Sequence, residues 1–177
     1  MDQTYVKALE SYEYLFGLAD LSDFDSRMKF QKTTYLLKVL GIDFSGLKFT
    51  WFRRGPYCFD LVGVKYKPKP AHSVLRADEI IKIDQNKPLI HELMDKPRDA
   101  ELYSSIAFLQ REEKLSPEQI IHRMGLVKPW FEQRDVEAGI HKMKQILPAN
   151  WIGFLAIFLF IHSDREYRRS VEDRRMK

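Results

Sequence analysis

The spacing of apolar residues changes period once in this chain, at residues 47–53, and that change limits the folds open to it. In the other clearly patterned segments apolar residues recur at intervals of three and four, which places them on one face of an α-helix. In 47–53, Leu47, Phe49 and Trp51 alternate with Lys48 and Thr50, as in a half-buried strand. Gly55 and Pro56 interrupt the alternation. One strand among many helical segments predicts an α+β fold, mostly helical, with a small β-sheet.

The helical stripes can be followed along the chain. Residues 4–18 place Tyr5, Ala8, Leu9, Tyr12, Leu15 and Phe16 on one face. Asp23, Asp25 and Ser26 are capping residues for a second helix, and Gly41 is suited to the left-handed residue that closes it. Its inner stripe is Phe30, Thr33, Leu37 and Leu40, widened by Tyr35 and Leu36, with Lys29, Lys32 and Lys38 expected on the outer side. Pro56 suits the first turn of a helix, predicted to run to residue 64, and Cys58 and Phe59 read as packing residues. The prolines of 65–73 require a loop. Residues 75–83 fit strand or helix. Short helices are predicted at 87–94 and 99–113, the latter with Leu102, Ile106 and Leu109 inward. Ser116, Pro117 and Glu118 form a strong helix start. The last periodic helix carries Val136, Ile140, Met143 and Ile146.

Residues 151–161 are eleven uncharged, almost wholly apolar residues. As a helix they would span roughly 16 Å, against a bilayer core of about 30 Å, so no transmembrane span is expected. A helix apolar all round needs a protein surface to cover it. The expected organisation is therefore one domain at 1–147, then a hydrophobic C-terminal helix and mixed-charge tail at 148–177. That helix would pack on the core or on a second subunit, making 151–161 a homodimer contact.

A chain of 177 residues with 45% hydrophobic and 13% aromatic content can bury a substantial core. One cysteine allows no internal disulfide, and the first residues lack a basic stretch followed by an apolar run, so a reducing, cytoplasmic setting is the expectation. The net charge of +4 is unevenly placed: between Lys48 and Arg76 seven basic residues stand against Asp60 alone. A local surplus of this kind draws phosphate backbones or acidic proteins.

Catalytic and metal-binding patterns are missing. The five histidines lie at 72, 91, 122, 141 and 162, none in a His-Glu-x-x-His arrangement, and Cys58 has no cysteine partner for zinc. No nucleophile elbow, phosphate-binding loop or dinucleotide glycine pattern occurs. No catalytic residue, metal or cofactor is assigned, although Asp23, Asp25, Asp78, Glu79 and Asp84 could be assembled in space by the fold. Contact residues are easier to name. Arg53 and Arg54 follow the strand, Lys65, Lys67 and Lys69 line the loop, and Trp51, Phe52, Tyr57 and Tyr66 are interleaved with them. Helix, strand and basic loop in this order could be parts of a winged-helix-like module on DNA. Trp51 equally suits the core, and the arginines a structural pairing. Gln31 could satisfy backbone groups near the Gly55-Pro56 turn.

Gln31, Lys32, Tyr35, Leu36 and Leu37 on a helix, then Phe49 and Trp51 on a strand, then Gly55-Pro56-Tyr57, resemble the N-terminal signature of the YwgA-like family of prokaryotic proteins. The later Ser104-Ser105-Ile106 helix and the Lys128-Pro129-x-Phe131 turn resemble that family's C-terminal half, so the likeness covers about residues 25–147. A more distant similarity runs to the Panacea domain of SocA-type antitoxins, which counter toxins through protein contacts or proteolytic delivery. The apolar then basic run after Tyr57, and the helix after Pro148, depart from the family. The YwgA-like resemblance implies a fold more than an activity; the leading functional expectation is a non-enzymatic prokaryotic regulatory module of antitoxin or defence type, its partner an unknown protein such as a toxin, or nucleic acid, met through residues 53–69. A DNA-binding transcriptional regulator is the main alternative, and a hydrolase with dispersed acids or histidines the third. In this reading Gln31, Lys32, Tyr35, Trp51, Gly55, Pro56 and Tyr57 are mainly structural.

Overall fold

The second helix organises the molecule, because it is covered from more than one side. In the computed structural model, which describes residues 4–63 and 73–144, helix α1 (Thr4–Phe16) and helix α2 (Phe24–Val39) are followed by a hairpin of strands β1 (Thr50–Phe52) and β2 (Gly55–Tyr57). A short 3-10 turn at Phe59–Leu61 comes next. Helices α3 (Ala77–Leu93), α4 (Pro97–Arg111), α5 (Pro117–Val127) and α6 (Gln133–Met143) complete the described chain. Helix α2 packs against α1 on one side and against α4 and β2 on others. Every residue from Phe30 to Leu37 is consequently buried. The outward position expected for Lys32 is thereby corrected: its side chain is only 1% exposed. A helix with neighbours on several sides no longer has a single inner stripe.

Local signals explain where most helices begin. Asp23 caps α2 by accepting from the Ser26 amide at 2.8 Å, and Gly41 follows the helix with φ of +86°. Ser116 and Gln119 form a reciprocal capping box on α5, with Pro117 in the first turn. Helix α3 runs through Pro88, so the short helix expected at 87–94 is the second half of a longer one. Proline commonly ends helices, but Ile83, Ile90 and Leu93 are buried on one face of this one and hold it in register. Its first turn carries the buried Glu79, which accepts from the Arg76 and Asp43 amides at 3.0 and 3.3 Å and from Lys7 Nζ at 3.0 Å. One carboxylate thus joins α1, the α2–β1 connection and α3.

The helix expected from Pro56 to residue 64 is instead strand, 3-10 turn and loop. Phe52 pairs with Gly55, Trp51 with Pro56 and Thr50 with Tyr57, leaving Arg53 and Arg54 as a two-residue reversal. Neither arginine has positive φ; the left-handed residue is Gly55, at φ of +88°. This is how a type I turn is closed by a glycine bulge. Proline is tolerated here because a two-stranded sheet leaves one side of each strand unpaired. The strand is shorter than the alternation of 47–53 suggested, although Leu47 is buried as expected.

The residues expected to form a C-terminal helix and dimer contact, 151–161, lie outside those described, as do Lys65, Lys67 and Lys69. Among the described residues no helix is long and apolar enough to cross a membrane. Gly55 is the position least able to change. A Cβ there would lie 2.4 Å from Ser105 Oγ, in a backbone conformation that non-glycine residues rarely adopt. Gly55→Ala is expected to lower stability by about 2 kcal/mol or more in urea denaturation. Adding Ser105→Ala should restore only part of that loss, since it relieves the clash and not the backbone strain.

Candidate interaction site

A hairpin with three residues in each strand makes few hydrogen bonds of its own, and here side chains from distant helices supply the rest. Gln31 on α2 binds both backbone groups of Cys58: Nε2 donates to the carbonyl at 2.9 Å, and the Cys58 amide donates to Oε1 at 3.0 Å. One helical position further on, Lys32 Nζ donates to the Pro56 carbonyl at 2.6 Å. Lys128, just after α5, donates to the Arg53 carbonyl at 2.9 Å. Gln31 therefore does bind backbone, at Cys58, which follows the Gly55-Pro56 pair.

Lys128 is fully buried and forms an ion pair with Glu101 of α4, Nζ to Oε1 at 2.7 Å. Its ammonium also lies 5.4 Å from the Trp51 ring and 5.3 Å from the Trp130 ring, between two indole faces whose negative π-density favours a cation. The second oxygen of Glu101 accepts from Arg54 Nη1 at 2.9 Å. The Arg54 guanidinium in turn lies 5.8 Å from the Trp130 ring. Arg54 is thus in a structural pairing, yet its side chain remains 49% exposed. Lys32, Lys128 and Arg54 stand around one carboxylate, so the local charge is positive. Burial holds the Lys32 ammonium down to a pKa of about 7, helped by the neighbouring charges of Lys128 and Arg54 and opposed by Glu101.

The other expected site residues separate into two groups. Tyr35 is buried, its ring 5.1 Å from Phe49 and 5.7 Å from Phe108, and its hydroxyl donates to Glu112 at 3.3 Å. Burial raises its phenol well above the ordinary tyrosine range. Trp51 is half-buried and sits 5.7 Å from Phe108. Cys58 is buried, and burial pushes its thiol upward, away from the reactive thiolate. Arg53, by contrast, is exposed at the hairpin tip. Phe59, expected to pack, is 65% exposed, because the 3-10 turn points Leu61 inward instead. Phe52 is 53% exposed, and with Tyr57 and Phe59 it forms a cluster of rings 5.0 to 6.3 Å apart. Trp130 carries the exposed aromatic surface beyond Arg54.

Sequence reasoning missed Glu101, Ser105 and Trp130 as parts of this site and noted Lys128 only within a turn. Two signals were present. Glu101 and Ser105 stand four apart in a helix whose neighbouring positions are apolar, and Lys128 and Trp130 flank a proline between two helices. The described histidines, His91, His122 and His141, lie exposed on α3, α5 and α6. Of the acids, Asp23 caps α2, Asp84 accepts from the Tyr14 hydroxyl, and Glu79 serves the clamp on α1 and α3. Among the described residues no three potential metal ligands converge. The hairpin lies against α2 and α4. No model of a known protein family, no curated protein and no solved structure matches the chain.

The buried lysine makes stability depend on pH. An unfolded chain restores Lys32 to the ordinary value of 10.5, against about 7 in the fold. Between these values the unfolded chain binds the proton and the folded chain does not, so stability rises with pH across that window. Below about pH 7 the cost of the buried charge is fully present. Relative to Lys32→Met, the wild-type urea midpoint should therefore climb between pH 7 and pH 9. A constant difference between the two proteins across that range would show that Lys32 does not titrate there.

Proposed function

We propose that this chain is a non-enzymatic regulatory module of antitoxin or defence type, acting by macromolecular contact, and that a protein is its principal partner. The observation that carries this reading is the ridge of exposed Phe52, Arg53 and Phe59 around the half-buried Tyr57, on a hairpin pinned by Gln31, Lys32 and Lys128. Large rings and arginine are the side chains that most often dominate protein–protein binding energy. A backbone already held in place loses little entropy when a partner docks.

Composition favours protein over nucleic acid. Residues 49–63 contain two arginines, no lysine and the exposed Asp60 beside Phe59. That acid repels a phosphate backbone, and the exposed rings suit a protein surface. The more distant similarity to the Panacea domain of SocA-type antitoxins points to the same kind of module, while the YwgA-like resemblance of residues 25–147 bears on the fold. The basic residues Lys65, Lys67 and Lys69, next along the chain, would extend the contact toward an acidic partner.

The test is recovery of the partner with nuclease present, followed by titration of the purified pair. Phe59→Ala and Arg53→Glu are each expected to weaken binding about tenfold or more, with the circular dichroism spectrum unchanged. If recovery is abolished by nuclease, and affinity for DNA falls steeply with salt, the DNA-binding regulator replaces this reading.

A further inference from the structure

The ridge also has a chemical preference, set by the charges beneath it. Glu101 is already matched by Lys128, which is buried with it at 2.7 Å. The positive charge of Arg54 is therefore surplus, and of the two cations on Glu101 only Arg54 reaches solvent. Beside it lies the Trp130 ring, 43% exposed. The other charges close to Trp130 are paired: Arg98 donates to the Trp130 carbonyl at 3.2 Å and bridges to Asp135 at 2.8 Å. Glu132 and Arg134 pair with each other at 2.8 Å.

Building on the protein-contact reading, we infer that Arg54 and Trp130 form a receptor for a carboxylate carried by an acidic, apolar-bearing segment of the partner. The fork of a guanidinium has five donors, and the bond to Glu101 uses one nitrogen, so others remain for a carboxylate on the solvent side. The indole offers an apolar side chain of the same segment a surface to lie on. Its cation–π contacts with Arg54 and Lys128 help to hold both groups before any ligand arrives. Glu101 acts as a positioning residue: it orients the guanidinium without cancelling the local positive charge, because Lys128 shares it.

Fluorescence anisotropy on the full chain tests this with three probes: a labelled peptide of alternating glutamate and leucine, the same peptide with glutamine for glutamate, and an oligothymidylate of equal length. The glutamate peptide should bind saturably, and the glutamine peptide at least about tenfold more weakly. Arg54→Gln and Trp130→Ala should each reduce binding of the glutamate peptide by a similar factor. The comparison of the two peptides on the unaltered protein keeps the test decisive should either variant fail to fold. Equal binding of the two peptides, or full binding by the Trp130→Ala protein, would overturn the inference, as would tighter binding of the oligothymidylate. Loss of binding in Phe59→Ala with full binding in Arg54→Gln would sink the carboxylate receptor and leave the contact surface standing.

Discussion

Three-residue strands cannot stabilise a hairpin by themselves, and the rest of this site depends on how that shortage is met. The carbonyls of Arg53, Pro56 and Cys58 are taken by Lys128, Lys32 and Gln31, and Gln31 also accepts the Cys58 amide. A buried backbone group without a partner costs about 1–3 kcal/mol, so these bonds are a condition of placing the hairpin against α2 and α4. Lysine is a costly means of meeting that condition, since an ammonium must leave water. For Lys128 the cost is offset by Glu101 and two indole faces. Lys32 is buried with positive neighbours and no carboxylate of its own, so burial first and then Lys128 and Arg54 lower its pKa to about 7.

The same arrangement determines what reaches the surface. With Gly55, Pro56, Cys58 and Leu61 buried, alternation along the hairpin and the following turn leaves Phe52, Arg53 and Phe59 outside. Rigid rings around a turn of arginines are what a pre-organised contact surface requires. The surplus charge around Glu101 gives that surface a sign, so the side chains that hold the hairpin also set the charge beside it. Changes at Lys128 or Glu101 would therefore be felt both in folding and at the ridge.

Much of the fold was legible because its signals are local. The helix starts at Asp23 and Ser116 and the close at Gly41 each need only a few adjacent residues, and the 3–4 stripes of α1 and α6 need only one buried side. The hairpin was half legible. Alternation through Trp51 marked a strand, but a Gly-Pro pair serves equally to open a helix or to return a hairpin. Partners far along the chain removed that ambiguity: Lys32 lies 24 residues before Pro56, and Gln31 27 before Cys58. The expectation at 87–94 caught only half of α3 for a related reason, since packing of Ile83 and Ile90 carries the helix through Pro88, a residue type that usually breaks helices.

The sequence by itself determined the class of fold, the positions of most helices, and the stretch around Arg53 and Arg54 where cations and aromatic rings gather. These follow from spacing and backbone chemistry, which act between near neighbours. Only the tertiary structure decided that Lys32 is buried, that Arg54 is shared with Glu101, that Lys128 sits between two indoles, and that Phe59 faces outward. Each of these depends on which helices meet. A residue's desolvation and its charge partners are properties of that meeting, set by groups up to 75 residues apart in the chain.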